Sequence, residues 1–361
     1  MKMIPVTKPF LPPKAEYDKY LEGIWERNWL TNNGPLVGEL ESSLKEYLGL
    51  PYLSYLGNGT VALQLAIKAL ELKGEIITTP FSYVATTSSI VWEGCKPVFV
   101  DIDPDTFNID PTKIEASITP KTSAILATHC FGNPCEVEVI DAIAQKHNLK
   151  VIYDAAHCFG TLYKGQTIFN WGDISTTSFH ATKLFHTIEG GAIFAKDEEL
   201  NKKIAWMRNF GHHGPEKFYG VGINGKNSEV HAAMGLVNLK HIEGILAARK
   251  RQSYFYDSYL DSTSIRKPKV SESTGFNYAY YPVVFNSSEE MMKVKAALEE
   301  QEIYPRRYFH PSLSSLNYVE NIPTPISDEV ASKILCLPIY HDLSESDQQR
   351  VCGIILKQLD S

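Results

Sequence analysis

The sequence has no excess of positive charge, no cysteine pairs at ligand spacing and no long apolar run. Lys and Arg number 35 against 42 Asp and Glu, a formal net charge of −7. The basic footprint of a general nucleic-acid binder is therefore missing, although a local basic pocket for a phosphate is not excluded. The six cysteines, Cys95, Cys130, Cys135, Cys158, Cys336 and Cys352, form no C-x-x-C pair. That removes zinc-ribbon and thioredoxin-like readings and fits buried thiols in a reducing cytosol. No metal is expected. The opening "MKMIPVTKPFLPP" is broken by prolines and carries no long apolar segment, so it is not read as a signal peptide. No stretch approaches the length of a membrane span. Internal repeats and low-complexity tracts are absent, and no G-x-G-x-x-G opens a helix after a strand, so a nicotinamide-dependent dehydrogenase has no support. The expectation is a soluble cytoplasmic protein with no nucleic-acid or membrane partner.

What is present points to α/β architecture. The chain has 361 residues, 43% of them hydrophobic and 21% charged, too long for one simple core. From Leu36 onward, helical stripes alternate with short apolar runs. "VGELESSLKEYLG" carries a stripe that stops at Gly49. "GTVALQLAIKALEL", "YVATTSSIVWEG", "DPTKIEASI" and "EVIDAIAQKHN" read as helices, with "EIITTP", "KPVFVDID", "SAILATH" and "KVIYDAAH" as strands between them. Such alternation predicts a mostly parallel sheet flanked by helices. "DISTTSF" and "GGAIFAKD" read as two more strands on a short connection, which suggests an antiparallel neighbour. A long helical region from Ser228 to Leu260 precedes a changed order: a strand "YAYYPVVF", a helix "SEEMMKVKAALEEQE", then "KILCLPIY" and a final helix. We divide the chain into a large unit, 1–245, and a smaller α+β unit, 246–361.

Ligands of open α/β sheets gather beyond the carboxyl ends of the strands. That rule selects Tyr83, Asp154, His157 and the segment from Ser178 to Lys183. Lys183 has two readings, a solvated surface lysine or a desolvated Schiff-base lysine. Asp154 ends an apolar strand, where a carboxylate is costly without a partner. The partner is either a backbone amide or the ring nitrogen of pyridoxal 5′-phosphate, which a carboxylate keeps protonated. His157 is a core histidine or lies beside that ring. Gly57, Gly59 and Thr60 stand at the mouth of a helix, a turn or a phosphate cradle, to which Ser178 could add a hydroxyl. Tyr83 either packs in the core or stacks on a planar heterocycle. Asn224 and Lys226 sit in a glycine-rich loop before a helix that Ser228 would cap.

Taken together, these segments resemble the DegT/StrS family of sugar-nucleotide aminotransferases, fold type I enzymes that use pyridoxal phosphate. The resemblance runs almost end to end. It is carried by "NWLTNNGPLVGELE", "GNGTVALQLA", "TTPFSYVATTSSI", "VIYDAAHCFG", "TTSFHATKLFHTIEGGA", "GINGKNSEVHAAMGL" and "LPIYHDLSESDQQRV", in that order. It implies that Lys183 holds the cofactor and shuttles the proton, and that Asp154 pairs with the ring nitrogen. It also implies that Tyr83 stacks on the ring with His157 nearby, and that Gly59, Thr60 and Ser178 bind the phosphate. Asn224 is implied to reach the phosphate of the neighbouring subunit's cofactor, which makes a homodimer with shared active sites the smallest active unit. The chain departs from the family where Lys226 replaces a frequent arginine, giving a point charge in place of a bidentate fork. "RRYFHPSLSSL" follows the family's Y-Y-x-P-L-H segment loosely, with Leu313 at its last histidine and His310 as a substitute.

The expected activity is transfer of an amino group from glutamate to a nucleotide-linked keto sugar, releasing 2-oxoglutarate, for deoxyamino-sugar biosynthesis of the kind that serves O-antigen and lipopolysaccharide. "SFHATKLFHTIEGG" and "GINGKNSEVHAAMGL" look closest to enzymes that make dTDP-4-amino-4,6-dideoxyglucose from dTDP-4-keto-6-deoxyglucose. Lys226, His310 and His186 are the candidate substrate contacts. Amination at C3 is the alternative, as is a non-catalytic regulator of the same fold. A regulator would be expected to lose Lys183 or Asp154, and a sugar dehydratase of this fold would carry histidine in place of Lys183. All of these positions keep the catalytic residue type.

Overall fold

The computed structural model describes residues 3–360. Its centre is a seven-stranded sheet. From one edge the order is Ser54–Leu56, Gly191–Ala195, Ile174–Ser178, Lys150–Asp154, Thr122–Thr128, Glu75–Thr78 and Lys96–Phe99. Six strands run the same way, and Gly191–Ala195 is antiparallel to both of its neighbours. The mostly parallel sheet and its single reversed strand are as the sequence predicts. Side chains alternate through the sheet because successive strand residues point to opposite faces. Ile77, Ile125, Val151 and Tyr153 enter one apolar core, while Ile76, Leu126 and Ile152 enter another. Helices cover both faces, the usual condition for parallel strands.

Helix boundaries follow local signals. Helix Pro35–Leu48 has proline in its first turn and ends at Gly49, whose φ of 65° suits a residue without Cβ. Helix Gly59–Ala69 is capped by Asn58, whose side chain accepts the Val61 amide hydrogen. Helix Glu229–Lys240 is capped by Ser228, as predicted.

Two expectations need correction, and one helix was not read from the sequence at all. "DPTKIEASI" forms two short 3₁₀ turns, Pro111–Lys113 and Glu115–Ser117. Prolines at 111 and 120 leave too few residues for a helix to propagate beyond its costly nucleus. The long helical region is two helices, Glu229–Lys240 and Ile242–Leu260, broken at His241. Helix Lys14–Arg27 was missed by the sequence reading, although Tyr17, Tyr20, Leu21 and Ile24 form a stripe at helical spacing that packs on the sheet core; only Ile24 of them is fully buried.

A further apolar core gathers Tyr256, Leu260, Val283, Val294, Leu335 and Val351. It includes Ile4, because Ile4–Pro5 pairs in parallel with Ile303–Tyr304. The strand expected over "YAYYPVVF" is confined to Pro282–Val284, antiparallel to Ile334–Cys336.

Candidate active site

The carboxyl ends of the central strands open into a cavity of about 790 Å³. Asn58, Gly59, Thr60, Tyr83, Asp154, His157, Ser178 and Lys183 all line it. The rule about strand ends thus brings the expected residues together.

Asp154 ends strand Lys150–Asp154 and is buried. One carboxylate oxygen accepts the Thr86 hydroxyl at 2.7 Å, and the other accepts the Ala156 amide at 3.1 Å. Thr86 is itself 2.7 Å from the Ser82 hydroxyl, which is 3.0 Å from that of Thr128. With Thr86 donating to a carboxylate, the chain runs Thr128 to Ser82 to Thr86 to Asp154, a polarised relay ending on the anion. Burial pushes the Asp154 carboxyl above its ordinary value, and the Thr86 and Ala156 bonds and the Lys183 charge oppose that rise. No salt bridge reaches it among the described residues. A buried carboxylate with two neutral donors and no ion-paired cation suits a protonated ring nitrogen.

Lys183 follows the end of strand Ile174–Ser178, is partly accessible and lines the cavity. Desolvation pushes its ammonium down to about 8, against the attraction of Asp154. A lysine near 8 is uncharged often enough near neutral pH to act as nucleophile and base. Its Nζ donates to the hydroxyl of half-buried Tyr280 at 3.4 Å.

An anion cradle stands beside it. The first amides of helix Gly59–Ala69 have no acceptor within the helix and point their dipole at the cavity. The fit is tight: a Cβ added at Gly59 would lie 2.9 Å from the Ser178 Cβ. One at Gly191 would lie 2.5 Å from the Asn58 carbonyl carbon and 2.7 Å from the Gly59 nitrogen. The glycine pair after Lys183 therefore lets the reversed strand pass against the cradle. Gly191→Ala is expected to lower stability by about 1–3 kcal/mol through overpacking. It should also weaken phosphate-dependent cofactor binding, as read by urea unfolding and fluorescence titration.

His157 accepts the Phe131 amide at Nδ1, which leaves its proton on Nε2. Its ring lies parallel to Phe309 at 5.7 Å, and burial holds it well below its ordinary value, so it works neutral. Tyr83 precedes helix Val84–Trp92 and is 55% exposed, an aromatic face at the cavity rim. His180 also lines the cavity, 3.6 Å from Glu189.

The remaining candidates lie outside the cavity lining of one chain. His186 is 1% exposed; its Nε2 donates to the Phe10 carbonyl and its Nδ1 accepts the Ile188 amide. Both ring nitrogens are thus committed to the fold and none is left for a sugar. His310 is exposed and away from the lining. Lys226 donates to Asn224 at 2.8 Å and sits 4.6 Å from the centre of the Phe210 ring. Their loop docks on the cradle of its own chain, with the Gly57 amide donating to the Gly225 carbonyl. Sequence reading missed Arg306 and Tyr308, which line the cavity, and Thr86 and Tyr280, which bond to its central residues. "RRYF" was the available signal, two cations and two aromatics in a row.

The pattern of the DegT/DnrJ/EryC1/StrS aminotransferase family matches residues 13–356. The chain is 47% identical over 361 residues to a dTDP-4-amino-4,6-dideoxy-D-glucose transaminase of Shigella dysenteriae, covering 98% of each chain. It is 44% identical over 370 residues to the Escherichia coli transaminase of that name, covering 99% of each. Among solved structures, DesI in the presence of its TDP-sugar product superposes with a TM-score of 0.94 at 30% identity, over 99% of this chain and 94% of that one.

Proposed function

We propose that the chain, which belongs to the DegT/DnrJ/EryC1/StrS aminotransferase family, moves an amino group from L-glutamate to the C4 keto carbon of dTDP-4-keto-6-deoxy-D-glucose. The products are dTDP-4-amino-4,6-dideoxy-D-glucose and 2-oxoglutarate. The reaction class rests on one observation: a lysine pushed down to about 8 shares a cavity with a buried, cation-free carboxylate and an anion-binding helix start. The sugar rests on what the Shigella and Escherichia coli relatives are called.

The cofactor is pyridoxal 5′-phosphate; bound, it supplies a carbonyl that takes the amine and a pyridinium ring that takes up the electron pair left on carbon. Asp154 holds the proton at the ring nitrogen. Gly59, Thr60 and Ser178 bind the phosphate, and Tyr83 and His157 offer ring faces. With the cofactor bound, Lys183 Nζ would hold its carbonyl carbon until the glutamate amine took that place, and the freed amine would then take the α-proton of glutamate and hand it on. In the second half-reaction the same Nζ moves the proton in reverse, now toward the sugar's C4.

The reading includes a homodimer in the cytoplasm in which Asn224 of one copy reaches the neighbour's phosphate. Exposed Phe210, Phe218, Tyr219, Val221 and Ile223 precede Asn224 in the chain, apolar surface of the kind an interface covers. Consistent with a reducing compartment, all six cysteines are free and buried. Among the described residues no helix is long and apolar enough to cross a membrane. It also includes units at 1–245 and 246–361. Ile242 and Ile245 pack with the sheet core, and Tyr256 and Leu260 with the further core.

The test supplies glutamate and a panel of 3-keto and 4-keto nucleotide sugars and identifies products by mass and NMR. A 4-amino-4,6-dideoxyglucose product is expected. Amination of the 3-keto sugars alone would move the reaction to C3, and no product from any sugar would sink the substrate assignment.

A further inference from the structure

Arg306 is an exposed residue that lines the cavity, and its guanidinium has no ion pair and no hydrogen-bond partner of its own among the described residues. Its backbone is fixed: the Arg306 amide donates to the Cys336 carbonyl at 3.1 Å and its carbonyl accepts the Cys336 amide at 2.7 Å. Its side chain lies over the Tyr308 ring, 4.8 Å from the centroid, which preorients the planar fork without neutralising it. The charge is close enough to oppose protonation of Lys183 and to favour ionisation of Tyr280 and Tyr308. Among the lining residues, the other basic side chains are Lys183, which reacts, His157, whose Nδ1 accepts the Phe131 amide, and His180, which faces Glu189.

A standing unpaired guanidinium in a cavity is a receptor for an anion, and its fork matches a carboxylate in two parallel bonds. We propose that Arg306 binds the α-carboxylate of the amino donor; this rests on the aminotransferase reading above. The alternative anion is the diphosphate of the nucleotide sugar. That group hangs from C1, across the pyranose ring from the C4 that must reach Lys183, so it stands far from the lysine when the keto carbon stands near it. The α-carboxylate is one bond from the carbon whose proton Lys183 takes. Arg306 lies over Tyr308, the Tyr308 ring meets that of Tyr280 at 5.7 Å, and the Tyr280 hydroxyl is 3.4 Å from Lys183 Nζ, so the arginine stands on the lysine's side of the cavity and is placed for the α-carboxylate rather than the diphosphate. Sequence position hides this assignment, because Arg306 precedes a loosely matching segment and reaches the cavity only through its pairing with Cys336.

The experiment separates the half-reactions in holoenzyme. For Arg306→Ala, the KM for glutamate and the dissociation constant of α-methylglutamate, which has no α-proton to lose, are expected to rise about 30-fold or more. The latter is read by calorimetry, independent of turnover. Alanine as donor should weaken by the same factor, since it shares the α-carboxylate. The keto-sugar half-reaction should stay within about threefold. Arg306→Lys, which keeps the charge and loses the fork, should fall between, and a thermal midpoint near wild type guards against misfolding. The proposal is overturned if the sugar's KM rises instead, if neither substrate is affected, or if only the preference of glutamate over alanine falls, which would place the γ-carboxylate there. If wild-type enzyme itself fails to react with glutamate, the aminotransferase reading falls and not this assignment alone.

Discussion

Lys183→Ala will leave a folded protein that no longer transaminates. Turnover is expected to fall by at least about 10⁴-fold, because one nitrogen serves both as the anchor for the cofactor carbonyl and as the base that moves the α-proton. The visible absorbance of lysine-bound cofactor should vanish with it. Retained turnover in the alanine variant would refute the role. A second consequence concerns stability without cofactor, best read in Lys183→Met, which keeps volume and removes charge. The native lysine sits at about 8 against an ordinary 10.5. Between those values the unfolded chain binds more protons, so wild-type stability rises with pH across that window. Below pH 8 the cost of the buried ammonium is present in full. The methionine variant should therefore melt higher than wild type below pH 8, and the gap should close as pH approaches 10.5. Thermal midpoints across this range check the sign.

The parts of the site legible in the sequence are those that local rules control. Asp154 and Ser178 end their strands and Lys183 lies a few residues past one, so the strand-end rule finds them without knowledge of packing. Gly59 and Thr60 are legible because a helix start carries its own anion affinity. The fold class was legible for the same reason, since periodicity is local. What stayed hidden depends on distant segments. Arg306 and Tyr280 come to the cavity and to Lys183 only once the chain beyond residue 260 packs against the sheet; "RRYF" marks Arg306 as unusual without saying where it packs, and Tyr280 has no such local mark. His186 illustrates the converse. Its position beside Lys183 in sequence suggested the sugar, but the chain turns it into the core to hold the Phe10 carbonyl. Sequence adjacency predicts a shared site along a strand end, and fails one turn later.

Asp154→Asn should divide stability from function more sharply than any other substitution here. Asparagine keeps the shape: its one oxygen can accept the Ala156 amide while its NH2 group faces the Thr86 hydroxyl, which can turn to accept, but it cannot hold a proton on a ring nitrogen. Losing one partner of a buried pair costs about 3–5 kcal/mol, so the rate should drop between about 10² and 10⁴-fold. Without cofactor the effect reverses. Burial raises the Asp154 carboxyl in the folded state, so the native protein keeps this proton to higher pH than the unfolded chain does. The ionised form therefore costs stability above the ordinary carboxylate value of 3.8. The neutral amide escapes that cost, and cofactor-free Asp154→Asn should melt higher than wild type at neutral pH, with the difference shrinking toward acid. Adding cofactor should raise the wild-type midpoint more than that of the variant, because ligand that binds the native state stabilises it in proportion to affinity. An asparagine variant that melts lower without cofactor would mean the carboxylate is held by the fold. One that melts higher and still transaminates at the wild-type rate would mean the ring nitrogen has another partner.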